Sequence, residues 1–142
     1  VGTVAEIDPL VIDVIAEAGF IPVISPVAAD ENGVTLNINA DHLAGNLACA
    51  LKAYKLIMLT DVEGIMDDPL DLSSLIEELT IDEVRQMTED GRIVAGMLPK
   101  VEACVTALHG GVERAHIIDG RRPHSLLLEM FTDKGIGTMI LK

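Results

Sequence analysis

Two short stretches of this chain combine residue types suited to holding phosphates. Asn37-Ile38-Asn39-Ala40-Asp41 follows a strand-like run and opens an Ala/Leu-rich helix. Gly96-Met97-Leu98-Pro99-Lys100 ends on a lone Lys at the start of another apolar helix. The first turn of a helix offers unpaired N–H groups and a partial positive charge, a natural seat for an anion. Lys100 adds a full charge there, and Asp41 is placed to orient Lys groups or Mg²⁺.

The elements that must position these residues alternate between helix and strand. Asp8-Pro9 is an N-cap followed by Pro at the first helical position; Leu10, Val11, Val14, Ile15 and Ala18 make the stripe, and Gly19 ends it. Phe20 to Pro26 reads as a buried strand, Asp30-Glu31-Asn32-Gly33 as a turn, and Val34 to Ile38 as the return strand of a hairpin. Ala40 to Lys52 is a helix whose small residues Ala44, Gly45, Ala48 and Ala50 suit close packing, and Lys55 to Leu59 has the apolar character of a central parallel strand. Asp67 to Ser74 is a polar loop, and Thr80-Ile81-Asp82-Glu83 is a capping box that starts a helix running to about Glu89. Leu98 to Leu108 is the next helix, Arg114 to Ile118 a strand, Pro123 to Phe131 a helix and Gly137 to Leu141 a last strand. This order predicts an α/β fold: a three-layer αβα sandwich with a mostly parallel central sheet plus a β-hairpin.

Composition excludes several classes. The 142 residues make one domain by length, and with aromatics at 2% and no Trp its core must be aliphatic. No apolar run reaches the roughly 18 residues that span a bilayer, which predicts a soluble protein with no membrane partner. A net charge of −13 without any Lys/Arg cluster speaks against nucleic acid, while leaving room for a nucleotide in a locally positive pocket. Cys49 and Cys104 fall in apolar helical patterns and read as buried free thiols; without C-x-x-C spacing they indicate neither zinc nor a disulfide scaffold.

In open α/β sheets ligands bind beyond the carboxyl ends of the strands, and Thr60-Asp61-Val62-Glu63-Gly64 leaves one such end. Its backbone is suited to bordering an adenine and ribose, with Gly64 permitting close approach. No G-x-G-x-x-G follows a strand and no G-x-x-x-x-G-K-[ST] occurs, so neither a Rossmann dehydrogenase nor a P-loop enzyme is indicated.

Along essentially its whole length the chain resembles the C-terminal, nucleotide-binding half of acetylglutamate kinase, of the amino-acid kinase superfamily. The landmarks are Gly19-Phe20-Ile21-Pro22-Val23-Ile24, Asn37-Ile38-Asn39-Ala40-Asp41, Leu59-Thr60-Asp61-Val62-Glu63-Gly64, Gly96-Met97-Leu98-Pro99-Lys100-Val101 and His116-Ile117-Ile118-Asp119-Gly120-Arg121. The resemblance implies ATP- and Mg²⁺-dependent phosphorylation of the side-chain carboxylate of N-acetyl-L-glutamate, an early step of arginine synthesis, with Mg²⁺ held mainly by the nucleotide phosphates. By that carry-over Asn37 binds the substrate's main-chain carboxylate and Asn39 lines the same region. Asp41 orients the catalytic lysines, and Lys100 stabilises charge on the transferring phosphoryl group. Asp61, Val62, Gly64, Ile65, Ile93 and Met97 border the nucleotide. A carboxylate substrate is already deprotonated at neutral pH and needs no general base, so His42, His109 and His116 read as surface or packing residues.

The resemblance further implies that the N-terminal half supplies a second catalytic Lys, a Gly-rich phosphate and substrate loop, and an Arg for the substrate carboxylate. Val1-Gly2, without an initiator Met, reads as a cut inside a longer protein, so the chain is expected to hold about half of an active site. Gly120-Arg121-Arg122-Pro123-His124-Ser125, Glu129-Met130-Phe131 and Gly135-Ile136-Gly137-Thr138 resemble the arginine-inhibited members. His124, Ser125, Glu129 and Gly137 are the arginine-site candidates this implies, with Glu129 suited to a bidentate guanidinium contact. The full-length protein is expected to be a cytoplasmic homo-oligomer, or one of an organelle stroma in a plant or alga. Two other readings stand beside this one. One is a sibling kinase acting on an aminoadipate derivative or another carboxylate or carbamate; the other is a non-catalytic nucleotide- or arginine-binding module.

Overall fold

The computed structural model describes residues 2–71, 73–132 and 135–142. In chain order the elements are α1 (Leu10–Glu17), β1 (Val27–Ala29), β2 (Thr35–Asn37), α2 (Ala40–Ala50), β3 (Lys55–Thr60), β4 (Glu78–Thr80), α3 (Ile81–Glu89), α4 (Leu98–His109), β5 (Arg114–Asp119), α5 (Ser125–Phe131) and β6 (Thr138–Leu141). The central sheet runs β3-β5-β6-β4: β3 is parallel to β5 and β4 to β6, while β6 returns antiparallel to β5.

Alternation along the strands assigns the two faces. Leu56, Met58, Ala115, Ile117 and Ile140 point to one side and join Val84, Val101, Cys104, Ala107 and Leu108 of α3 and α4 in an aliphatic core. His116 faces the other side, where α5 lies. Helices on both faces of a mostly parallel sheet are the expected three layers. Cys104 is fully buried and Cys49 half-buried, both as free thiols.

Local signals explain most boundaries. Thr80 Oγ1 accepts from Glu83 N while the Glu83 carboxylate accepts from Thr80 N, so the predicted capping box opens α3. The hairpin turn is held by Asp30, whose carboxylate accepts from the N–H groups of Asn32 and Val34, and Gly33 supplies the left-handed φ of 77°.

Two expectations fail. Strand β3, expected as a central strand, lies at one edge of the described four-stranded sheet, with β5 as its neighbour. Phe20 to Pro26 is no buried strand: Ile21 is 90% and Val23 93% exposed, and the outward strand of the hairpin is only β1, paired with β2. A strand needs a neighbour for its N–H and C=O groups, and no described strand lies beside this run. The stripe of α1 is likewise uncovered, with none of its residues buried. Strand β4, which pairs with β6 along the sheet edge, has no counterpart in the sequence reading.

Candidate active site

Helices α2 and α4 lie side by side with their N-termini at the same end. Asn39 caps α2, its side-chain oxygen accepting from His42 N at 3.1 Å, and this places Asp41 in the first turn. Lys100 stands in the first turn of α4, just after Pro99. A cation there opposes the helix dipole, whereas a carboxylate at an N-terminus is favoured. The offset comes from Asp41 itself: Lys100 Nζ donates to both its carboxylate oxygens, at 3.0 and 3.2 Å. The pair is half-buried, with side chains 20% and 23% exposed, so Lys100 is held in one orientation yet reachable.

The separation of the two helices is set one turn below this pair. A Cβ at Gly45 would lie 2.7 Å from the carbonyl oxygen of Ala103 and 3.0 Å from its Cα, so only Gly permits this approach. Gly45→Val is expected to cost about 1–3 kcal/mol through overpacking. It should also spread Asp41 from Lys100. Urea unfolding together with turnover of the full-length protein checks both. Beneath Lys100, burial pushes the Cys104 thiol up to about 12, with the Asp41 carboxylate adding to it, so this Cys is an inert packing group.

Two adjoining cavities lead to the Lys100–Asp41 pair. The nearer, of 340 Å³, is lined by Thr60, Asp61, Val62, Gly96, Met97 and Lys100 among others. The second, of 120 Å³, is an apolar slot between Val62, Ile65, Pro69, Ile93, Val94 and Met97. They share Val62, Val94 and Met97 as a common wall. All six expected nucleotide residues line one or both: Asp61, Val62, Gly64, Ile65, Ile93 and Met97. The space lies beyond the carboxyl end of β3, where α/β folds bind ligands.

Gly64 is needed for a second reason that its own stretch of sequence does not reveal. A Cβ there would lie 2.6 Å from Thr138 Oγ1. That hydroxyl, fully buried, accepts from Ile65 N at 2.8 Å and donates to the Ile76 carbonyl at 2.7 Å, pinning the loop that forms one wall of the slot. Asn37 and Asn39 line neither cavity; they sit exposed on the segment that delivers Asp41, and the Asn39 side chain is engaged as the cap.

The arginine-site candidates divide. Glu129 and Gly137 line a polar pocket of 370 Å³ beside α5, together with Lys55, Glu78, Arg114 and His116. His124 and Ser125 do not line it; His124 is exposed at the start of α5 with a φ of 60°. Glu129 is buried, taking His116 Nδ1 at 2.6 Å on one oxygen and Ile136 N at 2.7 Å on the other. Burial holds His116 below its ordinary pKa despite that carboxylate, and its Nε2 has no partner among the described residues. Gly137 is fixed by close strand approach, since a Cβ would fall on the Ile117 carbonyl.

The Lys100–Asp41 pair thus stands between two helix N-termini, at the end of an apolar slot on an α/β sheet. The chain belongs to the amino acid kinase family, whose sequence pattern matches residues 1–119. It is 60% identical over 142 residues to the acetylglutamate kinase of Heliobacterium modesticaldum, and spans 48%, about half, of that relative's length. The N-acetylglutamate synthase of Neisseria gonorrhoeae, solved with coenzyme A and N-acetyl-glutamate, superposes with a TM-score of 0.90 at 33% identity over 99% of this chain and 32% of that one. The same synthase with coenzyme A and L-arginine gives 0.86 at 32% identity, over 95% and 31%.

Proposed function

We propose that the full-length protein transfers a phosphoryl group from ATP to the side-chain carboxylate of N-acetyl-L-glutamate, and that these 142 residues are its C-terminal nucleotide-binding lobe. The observation that carries the reading is the Lys100–Asp41 pair at the end of the apolar slot, in a chain 60% identical to an acetylglutamate kinase. ATP with Mg²⁺ supplies the phosphoryl group when bound, the cation riding mainly on the phosphates. The residues present suit such a ligand: Ile65, Ile93 and Met97 offer an apolar seat for a base, and Lys100 a cation for the phosphates.

In this reading Val62, Ile65, Ile93 and Met97 exclude water from the base, and Asp61 borders the ribose. Lys100 neutralises charge as it grows on the transferring oxygens, and Asp41 keeps Lys100 aimed there. Asn37 takes the main-chain carboxylate of the acylated amino acid. The second lobe supplies further cations and the contacts for oligomerisation; the exposed run Phe20 to Ile24 and the bare stripe of α1 are suited to packing against it. A coupled ADP-release assay on the full-length protein with a panel of carboxylates tests the reading. Release that depends on N-acetylglutamate is expected, and a clear preference for an aminoadipate derivative or a carbamate would reassign the substrate.

Regulation by arginine belongs to the same proposal. The pocket beside α5 is lined by three carboxylates, Glu77, Glu78 and the buried Glu129, and by two basic side chains, Lys55 and Arg114, a combination suited to both ends of an amino acid with a guanidinium. Glu129 oxygens already serve His116 and Ile136, yet a carboxylate has further lone pairs for a fork. Glu129→Gln is expected to weaken arginine binding by about 10–150-fold, the loss of a charge-assisted contact worth roughly 1.5–3 kcal/mol. Basal turnover should change far less. Calorimetric titration of arginine decides it, and equal affinities would exclude Glu129 from the contact.

A further inference from the structure

The apolar slot has two walls that come from distant parts of the chain, and one side-chain contact joins them. The first wall belongs to the excursion after β3, closed on itself by Ile76 N donating to the Ile65 carbonyl and Asp67 N to that of Ser74, each at 2.9 Å. The second is the connector from α3 to α4, tied down where Arg92 N donates to the Met87 carbonyl at 2.9 Å. Across the gap, Arg92 Nη1 donates to Asp67 Oδ1 at 2.8 Å, and both Arg92 and Pro69 line the slot. Asp90, on the connector's own side, takes Nη2 at 3.4 Å and turns the guanidinium toward Asp67. Among the described residues no other side-chain hydrogen bond or ion pair links these two segments.

We propose that the Asp67–Arg92 ion pair is a strap that fixes the width of the slot and thereby sets the affinity for the nucleotide base. The inference rests on reading the slot as the base site. Both residues are positioning residues; the reacting groups lie at the other end, beside Lys100. The Arg92 side chain is 37% and that of Asp67 68% exposed, so the pair is the weak, salt-screened kind. That weakness suits the task, because a base cannot enter a slot that never opens.

The test uses the full-length protein, with KM for ATP and ADP affinity by titration read at low and high salt. At low salt, Asp67→Asn and Arg92→Gln should each raise KM for ATP by about three- to five-fold, with kcat little moved. Arg92→Lys, which keeps the charge, should recover part of the loss. The double variant should be no worse than either single one, since both remove the same contact. High salt should bring wild type toward the variants, because their strap is already gone. Ile93→Asp, which puts a charge into the slot wall, serves as the control. If the strap variants bind nucleotide like wild type while Ile93→Asp binds it poorly, the strap is overturned and the base site stands. If Ile93→Asp leaves nucleotide affinity untouched, the base-site reading fails and the strap with it.

Discussion

Replacing Lys100 by Ala in the full-length protein is expected to lower kcat by about 10²–10³-fold while changing KM for ATP far less. The magnitude follows from loss of one preorganised donor aimed at charge that develops during the reaction. Lys100 is suited to that role because its cost of placement is met in advance: Asp41 holds Nζ at 3.0 and 3.2 Å, and the two helix N-termini face the same space. Nothing has to reorganise when negative charge appears. Asp41→Asn leaves the charge but loosens its aim, so a smaller fall in kcat is expected. Lys100→Arg should not rescue turnover, since a planar fork cannot replace a compact ammonium at a half-buried position. Steady-state kinetics with ATP varied at saturating acetylglutamate measure all three. Turnover untouched in Lys100→Ala would remove the central assignment.

Local chemistry is what the sequence makes legible. Helices α2, α3 and α4 begin close to where caps, Pro99 and the small residues place them, because each signal acts within a few residues of itself. Strands β3 and β5 are apolar runs bounded by polar ones and their ranges fall close to where expected, although β3 lies at the edge of the described sheet and not at its centre. Residue type and helix position link Asp41 with Lys100 in the sequence, and the packing of Gly45 on Ala103 brings them together.

Features that depend on distant partners escape such a reading. Thr138 braces the loop after β3 through Ile65, far away in sequence, and no neighbour of Thr138 announces it. The Asp67–Arg92 contact is of the same kind. Strand β4 is three residues long and exists by virtue of β6. Phe20 to Pro26 shows the converse: its hydrophobicity suggests burial, but apolar character states only that a segment gains from being covered. Glu129 is neither a free surface residue nor an idle one, since its carboxylate organises His116 and Ile136.

The 142-residue chain by itself is expected to release no measurable ADP in the presence of acetylglutamate. Of the cations proposed to surround the transferring phosphoryl group, it provides Lys100; the second Lys, the Gly-rich loop and the Arg for the substrate carboxylate are proposed to lie in the other half. Each missing stabiliser is worth on the order of 10²–10³-fold when removed alone, and groups that act as a unit fail together. Weak nucleotide binding is a separate matter, because the slot between Ile65, Ile93 and Met97 is formed by this chain alone. Activity and affinity should therefore part company: ADP binding by titration persists while turnover is absent. Covering Phe20 to Ile24 and α1 is the other contribution proposed for the missing half, so the isolated chain is also expected to self-associate through those surfaces. Adding the full-length Lys100→Ala protein, which carries the other half, gives no rescue unless the two chains exchange lobes. Robust acetylglutamate-dependent ADP release from the isolated chain would show that these residues complete an active site on their own, and the division of labour between two lobes would fall.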